Sequence, residues 1–285
     1  MENEDPFSEL NIPKIVKQKL AKKFSSLATL SRAPAQEISE QVGISLKLAK
    51  TSITSARTIL KQIPITAMDL LEEYKKKRKL TTGSQNLDEI LAGGISTGSI
   101  TEIIGEYASG KSQLTFQLCV NAQLPYELGG LEGSVYFIDT EGTFRPERII
   151  AMAQRYPSLD PQEVLKNILV GRCYNTDHQI ALIDKVGKDS QSENIGLIII
   201  DSLTSHFRAE YIGRGTLAER QQKLNQHIHA ILRIAEVSNL AVVATNQVHA
   251  KPDQFFGDPT APVGGHVVAH AAQTRVMLRK SKGNR

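Results

Sequence analysis

Cysteine is nearly absent, long apolar runs are missing, and neither sign of charge is in strong excess. The two cysteines, Cys119 and Cys173, fall in a predicted helix and at a predicted strand end without metal-ligand spacing. That argues against a thiolate metal centre or a disulfide framework and reads as two reduced, buried thiols. No apolar stretch approaches the roughly 20 residues that cross a bilayer. The start, Met1-Glu2-Asn3-Glu4-Asp5, is acidic where a secretory signal would be basic and then apolar, so the chain is expected inside the cell. A net charge of +4 permits a nucleic-acid partner without establishing one. His227 and His229, two apart on one predicted helix, do not face a common point, which argues against a metal site there. What remains is 285 residues with 40% hydrophobic content, enough for one large domain and a small one.

The most informative stretch is Gly105-Glu106-Tyr107-Ala108-Ser109-Gly110-Lys111-Ser112. It fits a phosphate-binding signature: glycine, four residues, glycine, lysine, then serine or threonine. The pattern carries chemistry only where a strand enters and a helix leaves, because backbone N–H groups must converge on phosphate oxygens at a helix N-terminus. Both flanks comply. Ile100-Thr101-Glu102-Ile103-Ile104 is β-branched and mostly apolar, and Leu114, Leu118 and Ala122 share one face of a following helix. In this reading Lys111 reaches the β- and γ-phosphates and the Ser112 hydroxyl helps to hold Mg²⁺.

Other apolar runs end in polar residues at strand spacing. Ser134 to Asp139 leads to Glu141, which is either a candidate for polarising the attacking water or a solvated loop acid. Ile195 to Ile200 ends in Asp201, a candidate for holding Mg²⁺ through water. Leu240 to Thr245 ends in Asn246 and Gln247, the latter placed to sense a γ-phosphate, and Ile168-Leu169-Val170 is a further strand. Strands alternating with helices at this spacing imply an α/β fold with a mostly parallel, buried sheet and helices on both faces. Two glycine-rich polar segments lie outside that core. One runs from Arg208 through Arg214 to Thr216 with Arg220 just beyond; the other, Lys251 to Gly265, holds Phe255, Phe256, Gly264 and Gly265. Arginine on glycine hinges and loop aromatics suit a surface that grips phosphates and stacks on bases, or, more blandly, solvated loops and local packing.

The first 61 residues read as short helices. Gly43 between Val42 and Ile44, followed by Ser45 and an amphipathic run to Leu60, describes two helices joined by a tight turn. This is similar to a helix-hairpin-helix module, which offers turn amides to a DNA phosphate; a small helical bundle for protein contacts is the alternative. Leu10-Asn11-Ile12-Pro13-Lys14 lacks the glycine of a first hairpin. Residues 62–79 form a linker with Pro64, a short helix from Met68 to Tyr74, and the run Lys75-Lys76-Lys77-Arg78-Lys79. Such a run is most often a solvated helix end, with DNA steering or localisation as the less common role. Thr81-Thr82-Gly83-Ser84 opens the second domain, 80–285.

Five further blocks join the phosphate loop: Asp139-Thr140-Glu141-Gly142-Thr143-Phe144-Arg145-Pro146-Glu147-Arg148, Asp201 to Tyr211, Gly213-Arg214-Gly215, Thr245-Asn246-Gln247-Val248 and Phe256-Gly257-Asp258-Pro259. Together they resemble the RadA/RecA family of DNA strand-exchange recombinases in its archaeal form, over nearly all of the chain from Leu80 to Arg279. The resemblance implies a RecA-like P-loop ATPase core behind a small all-α helix-hairpin-helix domain. It also implies an ATP- and Mg²⁺-dependent filament on single-stranded DNA that pairs with homologous double-stranded DNA in recombinational repair. Carried over by position, Glu106, Tyr107, Ala108, Ser109, Lys111, Ser112 and Gln113 border the nucleotide, and Asp201 serves the metal. Glu141 activates water, Arg148 stacks on adenine, and Gln247 links nucleotide to DNA. Arg208, Arg214, Arg220, Phe255, Phe256, Gly264 and Gly265 face DNA, and His270 stands at a subunit interface.

The resemblance also locates departures. The linker of the family carries a phenylalanine three residues before an alanine; here Pro64 stands three before Ala67, with Ile63 and Ile65 beside it, so self-association is expected to be weaker. The family continues past the equivalent of Arg285, so the core is expected to be C-terminally truncated. Ala108 takes a place often filled by arginine or glycine, which should be tolerated because the backbone cradles the phosphates. The alternative reading is a recombination accessory or paralogue that binds ATP and a partner recombinase without exchanging strands; a hexameric helicase-type ATPase is a weaker third. Recombination mediators are further expected partners, membranes are not, and the location is cytoplasmic with the nucleoid in an archaeon or nuclear in a eukaryote.

Overall fold

The computed structural model describes residues 7–60, 66–250, 260–262 and 266–280. The chain divides into two compact units, Met1–Lys76 and Lys77–Arg285.

The first unit holds α1 (Lys14–Ala21), α2 (Leu27–Arg32), α3 (Ala35–Val42), α4 (Leu46–Ile59) and α5 (Ala67–Lys75). Phe7, Leu10, Leu20, Leu30, Ile38, Ala49 and Ile53 form its core. Gly43 ends α3 in the left-handed region at φ 64°, where a Cβ would be strained, and Ser45 caps α4 by accepting from the Leu48 amide. Helices α3 and α4 thus meet across a three-residue turn, Gly43-Ile44-Ser45. Helix α5 buries none of its residues, and the basic run starts in its last turn and continues into β1.

The second unit runs β1 (Lys79–Leu80), α6 (Gln85–Ile90), β2 (Ile95–Ser96), β3 (Ser99–Gly105), α7 (Lys111–Asn121), β4 (Ser134–Asp139), α8 (Pro146–Ala153), α9 (Pro161–Lys166), β5 (Ile168–Arg172) and α10 (Thr176–Asp189). Then follow β6 (Ile195–Asp201), α11 (Ser205–Glu210), a 3-10 turn at Arg214–Thr216, α12 (Leu217–Ser238), β7 (Ala241–Ala250), β8 (Thr260–Pro262), α13 (His266–Ala271) and β9 (Thr274–Leu278). The central sheet has the order β5-β4-β6-β7-β3-β9, every one of these pairs parallel, with β8 antiparallel on β7.

Alternation along each strand splits the core in two. Ile198 and Ile200 of β6 and Val242 and Ala244 of β7 pack with Ile183, Phe207, Leu224, Ile231 and Val268 from α10 to α13. Leu197, Ile199 and Val243 face the other way, onto Phe116, Leu118, Ile149 and Val164 of α7, α8 and α9. All seven residues of β3 and of β6 are buried, as a parallel sheet covered on both faces requires.

Candidate active site

Parallel register brings the polar strand ends to one edge of the sheet. Gly105 of β3 lies opposite Gln247 of β7, and Asp139 of β4 lies opposite Asp201 of β6. This is the carboxyl edge, where open α/β sheets bind ligands.

The phosphate loop fits its task sterically. A Cβ on Gly105 would lie 2.8 Å from the Leu278 backbone carbonyl oxygen and press on Ser109 Oγ, so the position admits only glycine. Gly110, at φ 96°, caps α7, and a Cβ there would meet nothing within 4 Å. That leaves room above the N-terminus of an 11-residue helix, where the first amides have no intrahelical acceptor. Ser109 Oγ is buried without a hydrogen-bond partner among the described residues. Ala108 sits in the left-handed region at φ 57°. Its side chain is accommodated, but at a backbone cost the sequence reading did not foresee.

Lys111 Nζ donates to the carbonyls of Gly105 at 2.9 Å and Glu106 at 2.8 Å. Burial lowers its pKa, opposed by the nearby carboxylates of Asp201 and Glu141. Ser112 Oγ donates to Asp201 Oδ2 at 2.7 Å, and the Thr245 hydroxyl donates to Asp201 Oδ1. The Glu141 carboxylate receives Ser202 Oγ at 3.0 Å and Gln247 Nε2 at 3.2 Å on the same oxygen. Arg148 reaches across from α8 to Gln113 of α7, its Nη2 donating to Oε1 at 2.7 Å.

The structure therefore connects Lys111, Ser112, Asp201, Glu141 and Gln247, which were inferred separately, and pairs Gln113 with Arg148 beside them. Arg208 is exposed on α11 and Arg220 half-buried on α12, with Arg214 in the 3-10 turn between them. His270, on α13, lines a cleft of about 450 Å³ with Gln221, Gln222, Asn225 and His229. Ala67 opens α5. Ile63, Pro64, Ile65, Phe255, Phe256, Gly264 and Gly265 lie outside the described residues.

Several contributors were missed. Asp139, 3% exposed, accepts four consecutive backbone amides: Glu141, Gly142 and Thr143 on Oδ1 at 3.2, 2.7 and 3.1 Å, and Phe144 on Oδ2 at 3.2 Å. Arg172 Nη1 lies 3.4 Å from Oδ1. The loop bearing Glu141 is thus wrapped around one carboxylate, and Phe144 anchors its far end against Phe137 with ring centroids 4.8 Å apart. Thr140 Oγ1 accepts from the Ser202 amide at 2.8 Å and so ties this loop to the end of β6. The one available signal was an aspartate closing an apolar strand, identical in kind to that of Asp201.

A parallel sheet with a glycine loop, a lysine-led helix and paired strand-end carboxylates defines the P-loop class of α/β proteins. The Rad51 family model matches residues 74–285. The chain is 52% identical over 262 residues to the DNA repair and recombination protein RadA of Aeropyrum pernix, covering 92% of this chain and 82% of that one. It is 50% identical over 263 residues to the protein of the same name from Metallosphaera sedula, covering 92% and 81%. The chain belongs to the Rad51 family.

Proposed function

We propose that this chain is a recombinase of recombinational repair that binds ATP with Mg²⁺, hydrolyses it in response to DNA, and assembles on single-stranded DNA to exchange strands with a homologous duplex. The observation that carries the reading is the convergence of Lys111, Ser112, Asp201, Glu141 and Gln247 at one sheet edge. Both relatives are named as DNA repair and recombination proteins and align over nine-tenths of the chain, which does not favour the accessory alternative.

The residues present fit a nucleoside triphosphate and a divalent cation. The phosphate-loop amides and Lys111 bind the phosphates, Ser112 and Asp201 hold the metal, and Arg148 and Gln113 border the base. The bound cation neutralises charge on the β- and γ-phosphates. Glu141, oriented by Ser202 and Gln247, accepts the proton of the attacking water. Arg208, Arg214, Arg220 and the loop around Phe255, Phe256, Gly264 and Gly265 hold the polynucleotide. The N-terminal helices 1–61 add a helix-hairpin-helix contact to it, carried on the linker 62–79, while Ile63, Pro64, Ile65, Ala67 and His270 serve self-association. Among the described residues no helix is long and apolar enough to cross a membrane, and the proposed place of action is with DNA inside the cell.

The test combines ATP hydrolysis with fluorescence anisotropy of a labelled oligonucleotide. Lys111→Ala is expected to abolish ATP-dependent DNA binding, and Glu141→Gln to bind ATP while hydrolysing it at least 100-fold more slowly. Arg208→Ala should weaken binding to every sequence and reduce the salt slope by about one. ATP-stimulated DNA binding retained in Lys111→Ala would overturn the reading.

A further inference from the structure

On the face of the sheet opposite α7 lies a chain of polar groups, buried except for its arginine, that the nucleotide chemistry does not use. The Arg275 guanidinium of β9 donates through Nε to Glu102 Oε2 at 2.7 Å, and Asn246 Nδ2 of β7 donates to Glu102 Oε1 at 2.7 Å. Asn246 Oδ1 in turn accepts the Thr204 hydroxyl at 2.9 Å. Glu102 and Asn246 are fully buried and Thr204 is 3% exposed.

The polarity of this chain leaves no freedom. A carboxylate facing an arginine can only accept, so the Asn246 amide must turn its nitrogen to Glu102 and its oxygen to Thr204, and Thr204 must donate. Thr204 is also the N-cap residue of α11, a place where a threonine hydroxyl ordinarily accepts a helix amide. Here it makes no capping bond and is given to Asn246 instead. An ion pair that keeps one carboxylate fully buried while its arginine stays partly in solvent carries a desolvation cost that offsets most of its attraction, so stability alone does not account for the arrangement.

Its position suggests what it does. Along β7 the neighbours of Asn246 contact the site directly: Thr245 holds Asp201, and Gln247 holds Glu141. Alternation sends the Asn246 side chain to the opposite face, onto the residue that begins α11 and thus onto the helix of Arg208. The Leu203 amide bonds to the Thr245 carbonyl at 3.0 Å, so the segment between β6 and α11 is laid directly along β7.

We propose that Thr204, Asn246 and Glu102 are positioning residues that transmit the state of the phosphate edge to α11, so that DNA affinity follows nucleotide binding. A shift of the β7 end that follows Gln247 moves the Asn246 amide, and the Thr204 bond carries that movement into the N-terminus of α11. Glu102, held by Arg275, is the fixed point against which the amide pivots. This rests on the reading of the chain as an ATP-dependent DNA-binding protein.

The test measures the affinity of the full chain for a fluorescein-labelled oligothymidylate, with and without ATP and Mg²⁺, in Thr204→Val and Thr204→Ser. In the unsubstituted chain ATP must raise the affinity; if it does not, the proposed function itself fails, whatever Thr204 does. Given that rise, Thr204→Val is expected to lose at least tenfold of it while its affinity without ATP stays within twofold. Thr204→Ser, which restores the donor, is expected to recover most of the rise. An undiminished rise in Thr204→Val overturns the proposal, as does an equal loss with and without ATP or a failure of serine to rescue. Thr204→Ala removes the hydroxyl without placing a methyl against Asn246, and is read by the same criteria if the valine variant does not fold.

Discussion

His227 makes the core acid-sensitive by an amount that can be worked out. It lies on α12, 3% exposed, against the Phe207 ring at 5.7 Å between centroids. Its Nε2 is 3.2 Å from Gln179 Nε2, which also donates to the Leu203 carbonyl at 3.1 Å. With Gln179 donating, His227 Nε2 must accept and the ring proton sits on Nδ1, which has no partner among the described residues. A second ring proton would face an N–H donor in an apolar setting, and burial pushes the pKa from 6.5 down to about 3. A folded-state value below the unfolded one means that the unfolded chain binds the extra proton between those limits. The stability from the neutral ring is therefore fully present above pH 6.5 and is lost as pH falls toward 3. At pH 5 the loss is about 2 kcal/mol, and over the whole window it is on the order of 5 kcal/mol. Against a total stability of roughly 5–15 kcal/mol, the pH 5 loss should lower the melting temperature of this unit by about 4–8 °C. The assay is urea unfolding of the unsubstituted chain and of His227→Leu at pH 7 and pH 5. Leucine cannot titrate and still leaves Gln179 its bond to Leu203, so the variant should lose about 2 kcal/mol less between the two pH values. Equal losses, within about 0.5 kcal/mol, would refute the assignment.

Residues that end an apolar run were legible; residues defined by a partner far along the chain were not. Lys111, Ser112, Asp201 and Gln247 each stand where a strand or a turn stops, a local signal that needs no knowledge of strand order. Glu102 looks like one polar residue in a strand of mixed character. Its partners lie 144 and 173 residues away, and nothing in local periodicity says that β3 takes its place between β7 and β9. Strand β9 itself, Thr274–Leu278, went unread because the run is short and interrupted by Arg275, whose charge is answered only in the folded sheet. Thr204 was hidden for the opposite reason: its local signal, a helix cap, is real in position but its hydroxyl is engaged elsewhere. Asp139 stood in a motif assigned to Glu141, and a carboxylate that gathers four amides becomes visible only once the loop has its shape.

Two further perturbations separate backbone strain from loop order. Ala108→Gly relieves the roughly 1–2 kcal/mol that a side chain costs in the left-handed region, against about 0.4–1 kcal/mol of added unfolded-state entropy. Urea unfolding should thus show a neutral change or a gain of up to about 1.6 kcal/mol, and a loss of about 1 kcal/mol would show that the loop is not strained there. Asp139→Ala strips the acceptor from four amides and frees the loop that aims Glu141, while the phosphate loop rides on a different strand. Because misplacement of a reacting group by about 1 Å can reduce a rate about 100-fold, ATP turnover should fall by that order with nucleotide affinity kept within about threefold. Asp139→Asn keeps one oxygen for the three amides that share Oδ1 and turns a donor only toward Phe144, so its loss should stay under about tenfold. Aromatic packing of Phe144 on Phe116 and Phe137 holds the distal end of the loop in both variants, which limits the damage to the segment between. Turnover unchanged in Asp139→Ala would mean that Ser202 and Gln247 suffice to aim Glu141. A parallel collapse of nucleotide affinity would instead make Asp139 a support of the whole sheet edge rather than of one carboxylate.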